Sequence, residues 1–209
     1  RDFLVVNKIN VKKVYNFLHI IHNLYIKEKI FLKKKSYSQG QADVQINNFF
    51  KDKKNGFFVD VGCFHPTRMN NTYLLYKKGW RGINIDLSQF SIDLFNFLRS
   101  DDINVLSAVS DKDGETQLYF QKEFSVISTL KKELTKSRFQ GEIKEKTIKC
   151  STLNNIIKNT KFINKPIDFL NIDAEGMDDI ILESLDFENY RPKLICAEDS
   201  VFNRKYEDT

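Results

Sequence analysis

The stretch Gly56-Phe57-Phe58-Val59-Asp60-Val61-Gly62-Cys63-Phe64-His65-Pro66 decides how this chain is read. Phe57 to Val61 is apolar at every position but Asp60, the pattern of a strand covered on both faces, as in a parallel sheet. Gly62 ends the strand and lets a ligand come close to the main chain. An acid inside the strand, a glycine at its end and a helix beyond describe the nucleotide edge of an open α/β sheet.

The same unit recurs outward from this strand. Tyr73 to Lys78 reads as a helix that Asn70, Asn71 and Thr72 are placed to cap. Gly82 to Leu87 is a second buried strand, Phe90 to Arg99 a helix and Ile103 to Val109 a third strand. This β-α-β-α-β order predicts an α/β fold with a Rossmann-like, doubly wound, mostly parallel sheet. Ile167 to Asp173 is a fourth parallel strand, Asp178 to Leu185 a helix and Pro192 to Cys196 a fifth strand. Between the third and fourth strands, Glu115 to Gln121 alternates as a strand and residues 124–141 are polar without a clear period. Lys146 to Cys150 is a short strand, and Ser151 is expected to cap a helix through Lys158. The chain stops soon after the fifth strand, so the last two strands of such a fold are expected to be missing. It opens on Arg1 rather than Met, as a piece of a longer protein would.

Residues 1–35 form a separate basic, amphipathic element ahead of a domain at 36–209. Residues 3–32 read as one helix, with Val11, Val14, Leu18, Ile21 and Tyr25 recurring at three and four. A polar linker, residues 36–41, and a short helix from Ala42 to Lys54 lead into the first strand. Nine Lys and Arg against Asp2 and Glu28 give residues 1–35 a balance of +7, leaving −2 for the rest of a chain whose total is +5. The helix is expected to dock its apolar face on the domain; contact with an anionic membrane surface or a partner stays open. Nucleic acid is not expected.

The 209 residues suffice for one domain with a real core, and 41% hydrophobic with 29% charged residues excludes a disordered chain. Cys63, Cys150 and Cys196 are scattered with no CxxC, which argues against a disulfide framework and a zinc site and fits a reducing cytoplasm. No apolar run reaches the roughly 18 residues of a membrane span, and no signal peptide is visible.

Three strands finish in carboxylates: Asp86, Asp173 with Glu175, and Glu198 with Asp199. The C-terminal ends of parallel strands line one crevice, where ligands bind. Asp86 follows Gly62 by 24 residues, the placement of an acid that accepts from two ribose hydroxyls. Asp60 is expected to order the following turn through its backbone N–H groups. Asp173 and Glu175, spaced i, i+2, share a face if the strand is still extended. One could take a proton from a hydroxyl, or the pair could hold a divalent cation; alternatively Asp173 caps the next helix. Ser110 and Asp111, at the end of the third strand, could meet an adenine edge or simply form a turn. His65 could act as a base above the first strand or pack beside Pro66. His19 and His22 are expected to face solvent or a docking groove.

The combination of Ser38-Gln39, Phe57 to Pro66, Asn71-Thr72-Tyr73, Gly79-Trp80-Arg81-Gly82, Ile85-Asp86 and Asp168 to Gly176 resembles the FkbM-type methyltransferases over residues 36–199. That resemblance implies a class I methyltransferase domain using S-adenosylmethionine, most often for O-methylation of sugars, glycans or natural products. It implies cofactor contacts from Asp60, Gly62, Cys63, Asp86, Leu87, Ser110, Asp111 and Asp173. Asp173, Glu175 or His65 would serve as base, and no metal is called for. Two other readings remain: a nicotinamide-dependent sugar oxidoreductase, which expects a denser glycine turn after the first strand, and a non-catalytic module of the same fold.

Overall fold

A computed structural model describes residues 2–122 and 128–198, with side chains from residue 11 onward. Residues 123–127, inside the polar stretch, and Asp199 lie outside the described residues. The order begins with α1 (Asp2–Ile21), a π-helical turn (His22–Lys27), a 3-10 turn (Lys29–Leu32) and α2 (Ala42–Phe49). It continues β1 (Phe57–Val61), α3 (Tyr73–Lys77), β2 (Arg81–Asp86), α4 (Gln89–Leu98), β3 (Ile103–Leu106), β4 (Ala108–Val109) and β5 (Gly114–Phe120). After α5 (Thr135–Arg138) come β6 (Lys144–Ser151), α6 (Leu153–Lys158), β7 (Phe169–Ile172), α7 (Asp178–Glu183) and β8 (Leu194–Ala197).

Five strands form a parallel sheet in the order β3-β2-β1-β7-β8. The order reverses beside β1, which pairs with β2 on one side and β7 on the other. At such a switch point the connections leave in opposite directions and a crevice opens beyond the strand ends. The alternation of β1 divides the core. Phe57, Val59 and Val61 pack with Ile83, Ile85, Leu170 and Ile172 against α6 and α7. Phe58 and Phe169 face the other way, onto Ile46 and Phe50, Leu75 of α3 and Trp80. Each fully buried Phe contributes about 2 to 3 kcal/mol. Asp60 shares the face of Phe58 and lies in register with Asn84 and Asn171 on the flanking strands.

Asp168 fastens the opposite end of the sheet. It accepts from the Phe57 N–H at 3.0 Å and from Lys53 and Lys193 at 2.5 and 2.9 Å. Burial alone would raise its pKa, but these donors prevail and lower it.

Several expectations change. The N-terminal helix ends at Ile21, and only its last turns dock: Ile20 and Leu24 pack on Leu94 of α4. The stripe expected to dock is open instead, with Val11, Val14 and Leu18 exposed at 68%, 57% and 59%. Tyr25 is exposed too, its ring near Phe97, and His19 stacks on Phe90. The second helix stops at Phe49, because Phe50 turns into the core beside Trp80. The third strand is two: Ser107 bonds back to the Asp86 carbonyl, and β4 leaves the main sheet to join β6 and β5. Ser151 ends β6, and Thr152 is the cap of α6, accepting from the Asn155 N–H at 3.2 Å. Thr72 precedes α3 without capping it, since its hydroxyl is directed to Asp60.

Candidate active site

The crevice beyond β1, β2 and β7 is lined by Gly62, Phe64 and Met69, by Asp86 and Leu87, by Ser107 and Val109, and by Asp173, Glu175 and Glu198. Gln39 closes one side and Leu130 and Met177 another. Gln39 comes from the polar linker. That linker is held by the fully buried Asp43, which accepts from the Ser36 and Ser38 hydroxyls and the Tyr37 N–H.

Asp86 ends β2. Its Oδ2 accepts the Phe64 N–H and its Oδ1 the Ser88 N–H, both at 2.8 Å. The carboxylate is fixed in orientation, and each oxygen keeps a further lone pair for a donor. Burial outweighs these bonds and raises its pKa to about 6.

Gly62 has φ +76°, and a side chain there would overlap the Asp173 carbonyl oxygen. The glycine therefore serves an approach of the protein to itself. It lets the end of β7, where the Asp173 N–H donates to the Val61 carbonyl at 2.9 Å, close against the end of β1.

Asp173 reaches solvent in this crevice, and its pKa is raised to about 6. Burial on its protein side is the main cause, and the carboxylates of Glu198, Asp178 and Asp60 add to it. Asp173 and Glu175 do not share an extended face, because β7 stops at Ile172 and Glu175 is left-handed at φ +53°. A turn brings both to the crevice instead. Asp173 does not hold that turn. The buried Asp178 does, accepting from the N–H groups of Ala174, Gly176 and Glu198 at 3.3 to 3.4 Å. Glu175 is ion-paired with Arg138, and its carbonyl accepts from the Thr129 hydroxyl. Among the described residues Asp173 has no ion-pair partner.

Behind the crevice lies a buried polar cluster. Asp60 accepts from Asn171 and Thr72 at 2.8 Å and from Asn70 at 3.4 Å, so it bonds side chains rather than the N–H groups of the turn. Burial raises its pKa against those bonds and the nearby Arg99. Arg99, fully buried, donates to the Thr72 hydroxyl at 2.9 Å, to Asn70 Oδ1 at 2.7 Å and to the Pro66 carbonyl at 2.5 Å. It balances Asp60 through one intermediate residue.

Five sequence candidates stand away from the crevice. Asp60 is one, as just described. Cys63 packs its side chain between Ile92 and Phe95, and burial pushes the thiol pKa well up. Ser110 is buried with its hydroxyl on Asp111, and neither lines the crevice. The chain turns off into β4 before reaching them, so Ser107 and Val109 take the place expected of them. His65 is buried and uses both ring nitrogens. Nδ1 accepts the N–H groups of Thr67 and Arg68 at 3.2 and 3.1 Å, which puts the ring proton on Nε2, 2.9 Å from Asn23 Oδ1. Burial, helped by Arg68 and Arg99, lowers its pKa to about 3. With no lone pair toward the crevice, His65 is an anchor and not a base. Among the described residues no group of His, Cys, Asp and Glu is placed to hold a metal, and no helix is long and apolar enough to cross a membrane.

A family model described as the methyltransferase FkbM domain matches residues 60–208. The chain belongs to the FkbM methyltransferase family. No curated protein and no solved structure gives a significant match. The matched span holds Gly62, Asp86, Asp173 and Glu198, the acids and the glycine around the crevice. Membership of a methyltransferase family implies a methyl donor. Gln39 and Asn23 lie outside the matched span.

Proposed function

We propose that this protein is an S-adenosylmethionine-dependent O-methyltransferase acting on a hydroxyl of a sugar, glycan or related small molecule. The observation that carries the reading is Asp86. Its carboxylate is locked by one N–H on each oxygen and lines the crevice with lone pairs to spare. That pair of acceptor oxygens suits two vicinal ribose hydroxyls. Leu87, Ile85 and Val109 supply an apolar wall for a purine.

When bound, S-adenosylmethionine supplies a methyl carbon already activated by its sulfonium. The protein then has two tasks: to hold the acceptor hydroxyl beside that carbon with water excluded, and to take its proton. Asp173 suits the second. It lies in the crevice, has a pKa near the working range and is not tied up as Glu175 is by Arg138. Glu198, across the strand ends, keeps that pKa raised. Leu130 and Met177 line the same end with apolar surface.

Methyl transfer from labelled S-adenosylmethionine to a panel of glycans and hydroxylated small molecules tests the proposal. Label in an acid-stable O-methyl ether is the expected result. Binding of NADH with no methyl transfer would favour the oxidoreductase reading, and neither activity would favour a binding module.

A further inference from the structure

Phe64 and Met69 both line the crevice and both hold left-handed backbone, at φ +51° and +48°. Residues with a Cβ adopt that conformation only when their surroundings enforce it. Arg99 fastens this loop from inside, at the Pro66 carbonyl. From outside it is fastened by the N-terminal segment. Asn23 Oδ1 meets His65 Nε2, Glu28 pairs with Arg68 at 3.0 Å, and the Tyr37 carbonyl accepts the Asn70 N–H at 3.1 Å.

The π-helical turn explains how Asn23 reaches inward. In it both Asn23 and Leu24 are buried, Leu24 against α4 and Asn23 against His65. Wider turns of this kind are frequent at functional sites. The imidazole admits one arrangement. Thr67 and Arg68 claim the lone pair on Nδ1, so Nε2 carries the proton and requires an acceptor, which the Asn23 carbonyl oxygen provides. One residue before His65, the Phe64 N–H orients Asp86.

We infer that Asn23 is a positioning residue for the cofactor site: through His65 it fixes the loop that holds the Phe64 N–H on Asp86, and so sets cofactor affinity. The inference rests on the reading of Asp86 as the ribose acid. Residues 22–28 precede the span matched by the family model.

The test is calorimetric titration of the full chain with S-adenosylhomocysteine, alongside thermal melting, for wild type, Asn23→Leu, Asn23→Asp and Asp86→Ala. Asn23→Leu removes the acceptor and is expected to weaken binding about tenfold. Asn23→Asp keeps an oxygen acceptor and is expected to bind within about threefold of wild type at pH 8. Its carboxylate raises the His65 pKa, and a proton arriving on Nδ1 opposes the Thr67 and Arg68 N–H groups. Its binding is therefore expected to weaken on acidification more steeply than that of wild type. A folded Asn23→Leu chain with a lower melting temperature and wild-type affinity overturns the inference, leaving Asn23 a merely structural residue. Should Asn23→Leu not fold, Asn23→Asp decides alone, and a pH dependence identical to wild type overturns it. Lost binding in Asp86→Ala with unchanged binding in Asn23→Leu confines the failure to this inference. A folded wild type that does not bind removes the ribose reading and the inference with it.

Discussion

The main-chain N–H of Phe64 donates to Asp86 Oδ2 at 2.8 Å, joining the loop after β1 to the end of β2 across 22 residues of sequence. Asp86 is thus held by the loop that follows β1. Its pKa of about 6 gives this arrangement a measurable pH dependence.

Ribose hydroxyls donate, so they require Asp86 as the carboxylate. Affinity for S-adenosylhomocysteine is expected to strengthen as pH rises toward about 6, by up to about tenfold per unit, and to level off above it. Stability changes in the opposite direction. The folded pKa is raised, so the folded chain holds an extra proton between the unfolded value and about pH 6. The contribution of this group is full below that window and is lost as pH rises through it. Calorimetry and urea titrations from about pH 4.5 to 8 would separate the two trends.

Asp173→Asn keeps the shape of the crevice and removes the proton acceptor. The turnover rate should fall by about 100- to 10,000-fold, while affinity for S-adenosylhomocysteine changes little. In wild type the rate should rise with pH through about 6, the value to which Asp173 is raised. Pre-steady-state methyl transfer on both proteins checks this. A full rate in the variant would move the role of base elsewhere.

Gly62→Ala combines a left-handed backbone angle with an overlap on the Asp173 carbonyl oxygen. Urea unfolding should show a loss of about 2 to 4 kcal/mol. Binding should also weaken in the protein that remains folded, because the ends of β1 and β7 must part.

Arg99→Met keeps much of the side-chain length and removes the buried cation. Three bonds to Thr72, Asn70 and Pro66 are lost, and Asp60 is left with no balancing charge behind the crevice. The expected loss of stability is about 3 to 5 kcal/mol, read from urea midpoints.

The main sheet was legible because β1, β2 and β7 are each short apolar runs closed by a glycine or an acid, and few other structures bury such a run on both faces. The split between β3 and β4 was not, since Ser107 is one polar residue in an otherwise continuous strand pattern. Periodicity found the apolar stripe of α1, but a period states which residues share a face and not what covers that face. Val11, Val14 and Leu18 are accordingly open, while Ile20 and Leu24 dock.

Within the site, Asp86 and Asp173 could be read because a residue ending a parallel strand has its place fixed by the sheet. Loop residues have no such constraint. Cys63 and His65 adjoin Gly62 and Phe64 in sequence, yet their side chains turn to α4 and to Asn23. Glu175 lies past the end of β7 in a left-handed turn, where the alternation of an extended strand no longer sets a side chain's direction. Arg99 ends an apolar helix, and Asn23 sits inside an amphipathic one. Neither carries a local signal, because their partners are 27 to 42 residues distant.

Asp86 is proposed to hold the ribose of S-adenosylmethionine. Calorimetric titration of S-adenosylhomocysteine into wild type and Asp86→Ala at pH 7.5 tests it most directly. The expected result is one-to-one binding in wild type and a loss of at least about 100-fold in the variant, with folding retained by circular dichroism. Equal affinity in the two folded proteins would contradict it.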